Sequence, residues 1–397
     1  PLAESAGSAS VRAQALTGLG GIAVRQNRFD LAEQHYSAAI AALAQQDAAA
    51  PDLVGIAYSG RGVANAARNR FDQALSDFGR ARVELEQDGD RTGAAMVDVN
   101  LGLLEGGRGH FSAAVQAFDR AIVVFTRFGV HDHLAATLLG KTDALLALLD
   151  NTEALAASAR AEELASQLEH PLLKRRILAV RCAALIANGQ LDAAQSRLDA
   201  AESQDAVLDL LRARVLLGRG EVAAATDVAH VALSKPLTQQ NDMNLGDAVL
   251  LAVAIARHGG EPALLDQALS RAEQGVADAS RMDLVLALQL GRAQQLALRG
   301  DAGSDQAFAD AFAEADRRGI PAAFVPAAMV YADHLLQRQQ FDLAATVVGR
   351  LVPYAERDFG AAQAIVSLYS ALGNAGLARE AWLRAQRLAG ERAIEKP

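Results

Sequence analysis

The chain has 397 residues, a formal net charge of −9, nine prolines and a single cysteine. That length exceeds one ordinary hydrophobic core and calls for several domains or a repeat array. The acidic balance excludes a general affinity for nucleic acid or anionic membrane, which both need a basic surface, and abundant alanine with only 5% aromatic residues points to an all-α class.

The opening stretch, PLAESAGSAS, is small and polar, with neither a basic start nor an apolar run. It does not read as a signal peptide. Residues 1–9 read as the tail of a linker, and the chain is expected to be a piece of something longer. No later segment approaches the roughly 20 apolar residues of a membrane span.

From residue 10 a phrase recurs: NRFDLAEQHYSAA (27–39), NRFDQALSDFGRA (69–81) and GHFSAAVQAFDRA (109–121). Its alanine serves as an anchor at Ala32, Ala74 and Ala114 and continues at Ala154 and Ala194, with intervals of 42, 40, 40 and 40 residues. Three residues before each anchor stand Phe29, Phe71, Phe111, Asn151 and Leu191; four after stand Tyr36, Phe78, Phe118, Ser158 and Leu198; seven after, always alanine. Offsets of three, four and seven mark one helix face. Twelve before the anchor come Gly20, Gly62, Gly102, Thr142 and Cys182, small residues that let a second helix approach closely, and between the two lies a turn such as RQNRFD or ANGQLD. Each unit is helix, short turn, helix.

This pattern resembles the tetratricopeptide repeat family over residues 10–205, although the unit is longer than the usual 34 or so residues. It is similar to the long-repeat arrays of MalT-like transcription regulators and of bacterial Ser/Thr kinases. The resemblance implies an α-solenoid, a right-handed superhelix of nine to ten hairpins. Residues 206–397 keep the rhythm less strictly and are expected to continue the same solenoid. GRGEVAAATDVAHVAL, QQFDLAATVVGRL and GNAGLAREAWLRA still carry the anchor, while 246–279 and 283–318 read as hairpins without it. Breaks are expected at 234–246, 300–305 and 319–326, where Pro, Gly and polar residues interrupt the pattern.

No HExxH, GxSxG, Walker loop or CxxC is present, and no enzyme or cofactor reading survives. Cys182 falls at the small packing position and reads as a buried structural thiol. His131 and His133 in FGVHDH read as polar residues of a loop; a zinc site needs a fuller ligand set.

In the family the first helix of each hairpin lines the concave surface. That implies Gln14, Thr17 and Gly21 in the first unit, Ile56, Ser59 and Val63 in the second, and Met96, Val99 and Leu103 in the third. Ala136, Leu139 and Asp143 follow in the fourth, then Arg176, Ala179 and Ala183 in the fifth. Asn100 falls near the position of a chaperone-binding clamp but lacks its companions. Such an apolar lining suits an amphipathic helix or an extended hydrophobic peptide. Lys174, Arg175, Arg176, Arg181 and Arg212 lie in a locally basic stretch and are candidates for an acidic or phosphorylated partner.

The expected function is a non-catalytic interaction or sensor domain of a larger bacterial signalling protein, a Ser/Thr kinase or transcription regulator. It would bind a protein or peptide through its groove and make no nucleic-acid contact of its own. The alternatives are a self-standing adaptor for assembly, transport or secretion, and a small-molecule sensor. The compartment is cytoplasmic for a regulator and periplasmic for an array following a membrane kinase.

Overall fold

A computed structural model of the chain describes residues 9–44, 51–167, 169–201, 205–236, 244–274, 282–394 and 396. The described residues form twenty α-helices and one 3₁₀ turn, Val352–Tyr354, with no strand. Twenty helices in tandem correspond to ten helix pairs in chain order, at the upper end of the expected nine to ten, and the chain is an all-α helical-repeat solenoid.

The chain divides into two compact units between Ala144 and Leu145, well before residue 206, where the signature weakens. The signature reports which side chains fill an interface, whereas the division reports where the packing thins. The first unit holds α1 (Ala9–Arg25) and α2 (Phe29–Leu43), α3 (Pro51–Ala67) and α4 (Phe71–Asp88), and α5 (Arg91–Gly107) and α6 (Phe111–Phe128), with most of α7 (His131–Ala147). The second unit begins with α8 (Asn151–Ala165), followed by α9 (Pro171–Ala187) and α10 (Leu191–Asp199), α11 (Ala206–Gly218) and α12 (Val222–Ser234), and α13 (Leu245–Arg257) and α14 (Pro262–Gln274). It ends with α15 (Met282–Leu298) and α16 (Ser304–Arg318), α17 (Pro321–Gln337) and α18 (Phe341–Gly349), and α19 (Phe359–Ala371) and α20 (Ala375–Ala389).

The second helices of the first five hairpins start three residues before the anchor, at Phe29, Phe71, Phe111, Asn151 and Leu191. One turn builds them all. The residue five before the anchor is left-handed, as at Asn27, Asn69, Gly109, Leu149 and Gly189. The next amide donates back to the carbonyl five residues earlier, from Arg28 to Ala23 at 2.9 Å and from His110 to Glu105 at 2.8 Å. This bond closes the end of the first helix. The same turn recurs at Glu221, Gln340 and Asn374, each 2.9 Å from its acceptor, so the later hairpins keep the backbone device after the side-chain phrase has faded.

Two expected breaks fall at turns between helices. Residues 300–305 are the turn inside the eighth hairpin; in 319–326, Gly319 caps α16 in the left-handed region, Pro321 opens α17, and Pro326 lies within that helix. Pro321 at the helix start gives up no intrahelical bond, whereas Pro326 removes the one its amide would make to the Ala322 carbonyl. Most of the third break, 237–243, lies outside the described residues, as do residues 1–8 of the expected linker; Ala9 already belongs to α1. His131 opens α7 and is not in a loop, and His133 packs its ring 5.5 Å from that of Phe125. Among the described residues no group of three or more His, Cys, Asp or Glu could hold a metal ion, and no helix is long and apolar enough to cross a membrane.

Candidate functional site

The repeated interface explains where a cleft opens in the first unit. The aromatic four residues after the anchor lies against two backbones: the glycine twelve before its own anchor, and the residue fourteen before the next. A Cβ on Gly20 would stand 2.7 Å from the Tyr36 ring, and one on Gly60 only 2.2 Å from it. Phe118 is held in the same way between Gly102, at 2.5 Å, and Gly140, at 2.8 Å. Phe78 meets Gly62 at 2.7 Å, but on its other side the place of Gly60 and Gly140 is taken by Asn100. The Asn100 amide turns away to donate to Ser59 Oγ at 3.3 Å.

Beside that amide lies a cleft of about 310 Å³ between α3, the start of α4, and α5. Val63, Ala66, Phe71, Phe78, Leu103 and Leu104 give it apolar walls, and Asn69 and Asn100 supply the polar groups. The Arg108 guanidinium lies 5.7 Å over the Phe71 ring at one edge. An apolar cavity of this size with one or two placed amides fits a branched or aromatic side chain together with a neighbouring backbone group.

Several residues named from sequence meet here. Val63, Asn100 and Leu103 line the cleft, and Ser59 orients Asn100. Leu103 is 59% exposed and forms the rim. Ile56 is exposed on α3, and Met96 and Val99 are half-buried on α5, Val99 packing on the small cluster of Ala114, Phe118 and Ala144. Gln14 is exposed and Thr17 half-buried on α1, in a different hairpin from the cleft; Asp143 is exposed on α7. Leu139 is a correction: only 2% of it is accessible, so it cannot line an open groove. Its long side chain is turned wholly into the packing, where the shorter Thr17, Ser59 and Val99 at the same register stay half-buried. Phe71 and Phe78 were legible as pattern residues and missed as lining. The break in the glycine series at Asn100 was the signal that marks the cleft.

The basic patch does not assemble. Arg175 pairs with the buried Asp205 at 2.9 Å, and Arg212 with Asp209 at 2.6 Å while donating to the Leu198 carbonyl at 2.6 Å. Arg181 donates to Glu162 at 3.2 Å, to the Leu155 carbonyl at 2.9 Å and to Ser158 Oγ at 3.1 Å. These three cations hold neighbouring elements together, leaving only Lys174 and Arg176 as exposed members of the set. Cys182 is fully buried, with Sγ 3.9 Å from the Ala194 carbonyl; burial pushes its thiol up to about 11, as expected for a packing residue.

A larger opening, about 560 Å³, lies between α14 and α15. Its charged walls neutralise one another: Arg292 pairs with Glu273 at 2.9 Å and Arg299 with Asp266 at 3.3 Å. A ligand would have to displace these pairs, so the apolar cleft is the better candidate.

The sequence matches no protein-family model and no curated protein. Among solved structures it is similar to the apo form of RapI, with 11% identity and a TM-score of 0.48 over 95% of this chain and 97% of that one. It is also similar to a Rap protein complexed with competence and sporulation factor, at 13% and 0.47 over 86% and 97%. A third is the human IFIT1 dimer with m7Gppp-AAAA, at 13% and 0.45 over 96% and 90%.

Proposed function

We propose that this chain is a non-catalytic protein- or peptide-binding repeat module. Its cleft between α3, α4 and α5 takes the apolar side chain of an amphipathic or extended segment. The observation that carries this reading is the replacement of the ring-receiving glycine by Asn100, beside which Phe78, Val63 and Leu103 wall an open apolar cavity. The Asn100 amide nitrogen donates to Ser59, and its amide oxygen is the acceptor this reading assigns to an N–H of the bound backbone. An apolar anchor plus one or two backbone hydrogen bonds is the usual economy of peptide recognition. The long period and its resemblance to arrays of bacterial signalling proteins favour a role inside such a protein, next to a kinase or DNA-binding effector.

A displayed peptide library panned on the chain tests this. Enriched peptides should share a Leu, Ile or Phe anchor. Leu103→Asp and Asn100→Ala should each weaken them about tenfold, as loss of a central contact does. Leu103 is a rim residue, so its variant should keep the wild-type melting curve. Peptides that bind Leu103→Asp as well as wild type, or a library with no enrichment alongside stabilisation by a small metabolite, would overturn the reading in favour of the small-molecule sensor.

A further inference from the structure

Within the second unit, the segment Gly390–Ile394 that follows α20 turns back onto the fifth and sixth hairpins. The Glu391 amide donates to the Gly189 carbonyl at 2.9 Å and the Ala393 amide to the Gly218 carbonyl at 2.8 Å, so the segment bridges the turn between α9 and α10 and the end of α11. The Glu391 carboxylate accepts the Asp192 amide at 2.6 Å, across 199 residues of chain, in the first turn of α10, where a helix favours negative charge. Arg392 pins the arrangement. Its guanidinium donates to the Ile186 carbonyl and, at 2.8 Å, to the Ala187 carbonyl at the end of α9, and to the Leu388 carbonyl at 3.0 Å at the end of α20. The same group lies 5.1 Å over the Phe359 ring of α19. Helix ends leave carbonyls short of donors and favour positive charge, and here one cation serves two such ends.

The glycine at the contact answers to the segment and not to the turn. Gly189 occupies the left-handed turn position that Asn27, Asn69 and Leu149 fill in other hairpins, so the turn itself accepts a side chain. A Cβ on Gly189 would stand 2.4 Å from the Ala389 carbonyl oxygen, and one on Gly390 2.6 Å from the Gly189 carbonyl oxygen: the two backbones meet face to face. At Gly373, the same turn position in the last hairpin, nothing lies within 4 Å of such a Cβ. Among the described residues no extensive helix-to-helix interface joins α18–α20 to α9–α11, so this segment carries the connection. We propose that Gly390–Ile394 is a strap that closes the second unit on itself, latching the end of its last hairpin to the fifth and sixth, and that releasing it lets the stack between them flex open. Each hairpin of such a stack is held only by its neighbours, so small rotations add up along it unless distant members are tied. A short segment held by a few bonds belongs to the part of a fold that opens most readily. The strap is independent of the cleft beside Asn100, so either assignment can fail without the other.

Two measurements on the full chain test it. In native-state hydrogen exchange the Glu391 and Ala393 amides should be protected, and Gly189→Asn should speed their exchange by about tenfold or more while α13 stays as slow as in the wild type. Spin labels on Ser196→Cys and Gln386→Cys, both exposed positions, should report one narrow distance that broadens and lengthens in the same variant. Arg392→Ala should reproduce both changes from the strap side, away from any repeat turn, and Gly373→Asn, which meets no neighbour, should produce neither. Unprotected Glu391 and Ala393 amides in the wild type, or a label distance that ignores both Gly189→Asn and Arg392→Ala, would overturn the proposal. So would protection of these amides that disappears on dilution, because the segment would then be seated on a second copy of the chain.

Discussion

Phe118 touches the backbones of Gly102 and Gly140, so one ring holds its own hairpin closed and joins it to the next. Removing it leaves a cavity on both sides, and Phe118→Ala should cost about 3–5 kcal/mol in thermal or denaturant unfolding. The converse test overfills the same space: Gly102→Leu drives a side chain into the ring and should cost about 1–3 kcal/mol by the same measurement. An unchanged melting curve for either would mean that the anchor register is wrong. A different residue-scale effect sits in the turns. Gln339 is exposed and holds a φ of 58°, in the left-handed region that most side chains avoid. Gln339→Gly relieves that strain, and after the entropy lost from a freer unfolded chain it should stabilise by about 0.5–1 kcal/mol. The phrase NRFD showed that a turn was present; that Leu149 and Gln339 would take the strained conformation was not legible, because the turn bond imposes it from the backbone and no side chain announces it.

At the scale of elements, Glu162 on α8 is held by Arg181 of α9 at 3.2 Å and by Arg197 of α10 at 2.7 Å, so one carboxylate bridges two successive hairpins. Burial alone would raise its titration, but the hydrogen bonds and charges of Arg197 and then Arg181 outweigh it and hold the carboxyl below its ordinary range. A depressed carboxylate contributes stability above its unfolded-state value and loses it as pH falls through the lower folded value. Glu162→Gln should therefore lower the melting temperature at neutral pH and flatten its fall through the acid range below about pH 4.5, the region where a free glutamate takes up its proton. An acid limb identical to wild type would show that the bridge does not form in solution. The sequence presented Arg181 as a surface cation for an acidic partner, since composition cannot tell a paired arginine from a free one. Arg181→Glu should now unfold the chain more readily, by about 1–3 kcal/mol, by placing a like charge against Glu162 and abandoning the Leu155 carbonyl. Arg176→Glu, on an exposed residue, should change stability by less than about 0.5 kcal/mol.

For the whole molecule, legibility and core size run in opposite directions. The first unit, where the phrase is clearest, is built from separate small clusters: one around Tyr36, one around Phe78 and Leu85, one around Phe118. The second unit contains a small cluster around Cys182, Leu191 and Leu198 and then one large cluster extending from Ala206 to Ala385, with Leu, Val and Ile from α13 through α19 and the rings of Phe308, Phe324 and Tyr331. Fixed glycine and aromatic positions make a readable pattern because each ring needs one particular notch. Large aliphatic residues fill space in many ways, so the pattern blurs while more apolar surface leaves water. The eighth hairpin shows how: Ser304, Phe308, Ala311 and Ala315 carry the buried face one residue earlier than its turn would place it, enough to hide the anchor from a fixed-period reading. Nearest-neighbour stacks open locally, and the free energy of each opening follows the apolar area it exposes. Native-state hydrogen exchange should therefore find the slowest amides in α13 and α17 and faster exchange in α1, α3 and α5. Phe118→Ala should speed exchange in α5 and α6 and leave α13 and α17 as they were. Equal slowing across all first helices, or loss of protection in α17 on substituting Phe118, would mean that the units unfold as one body and that the continuous cluster does not set the order of opening.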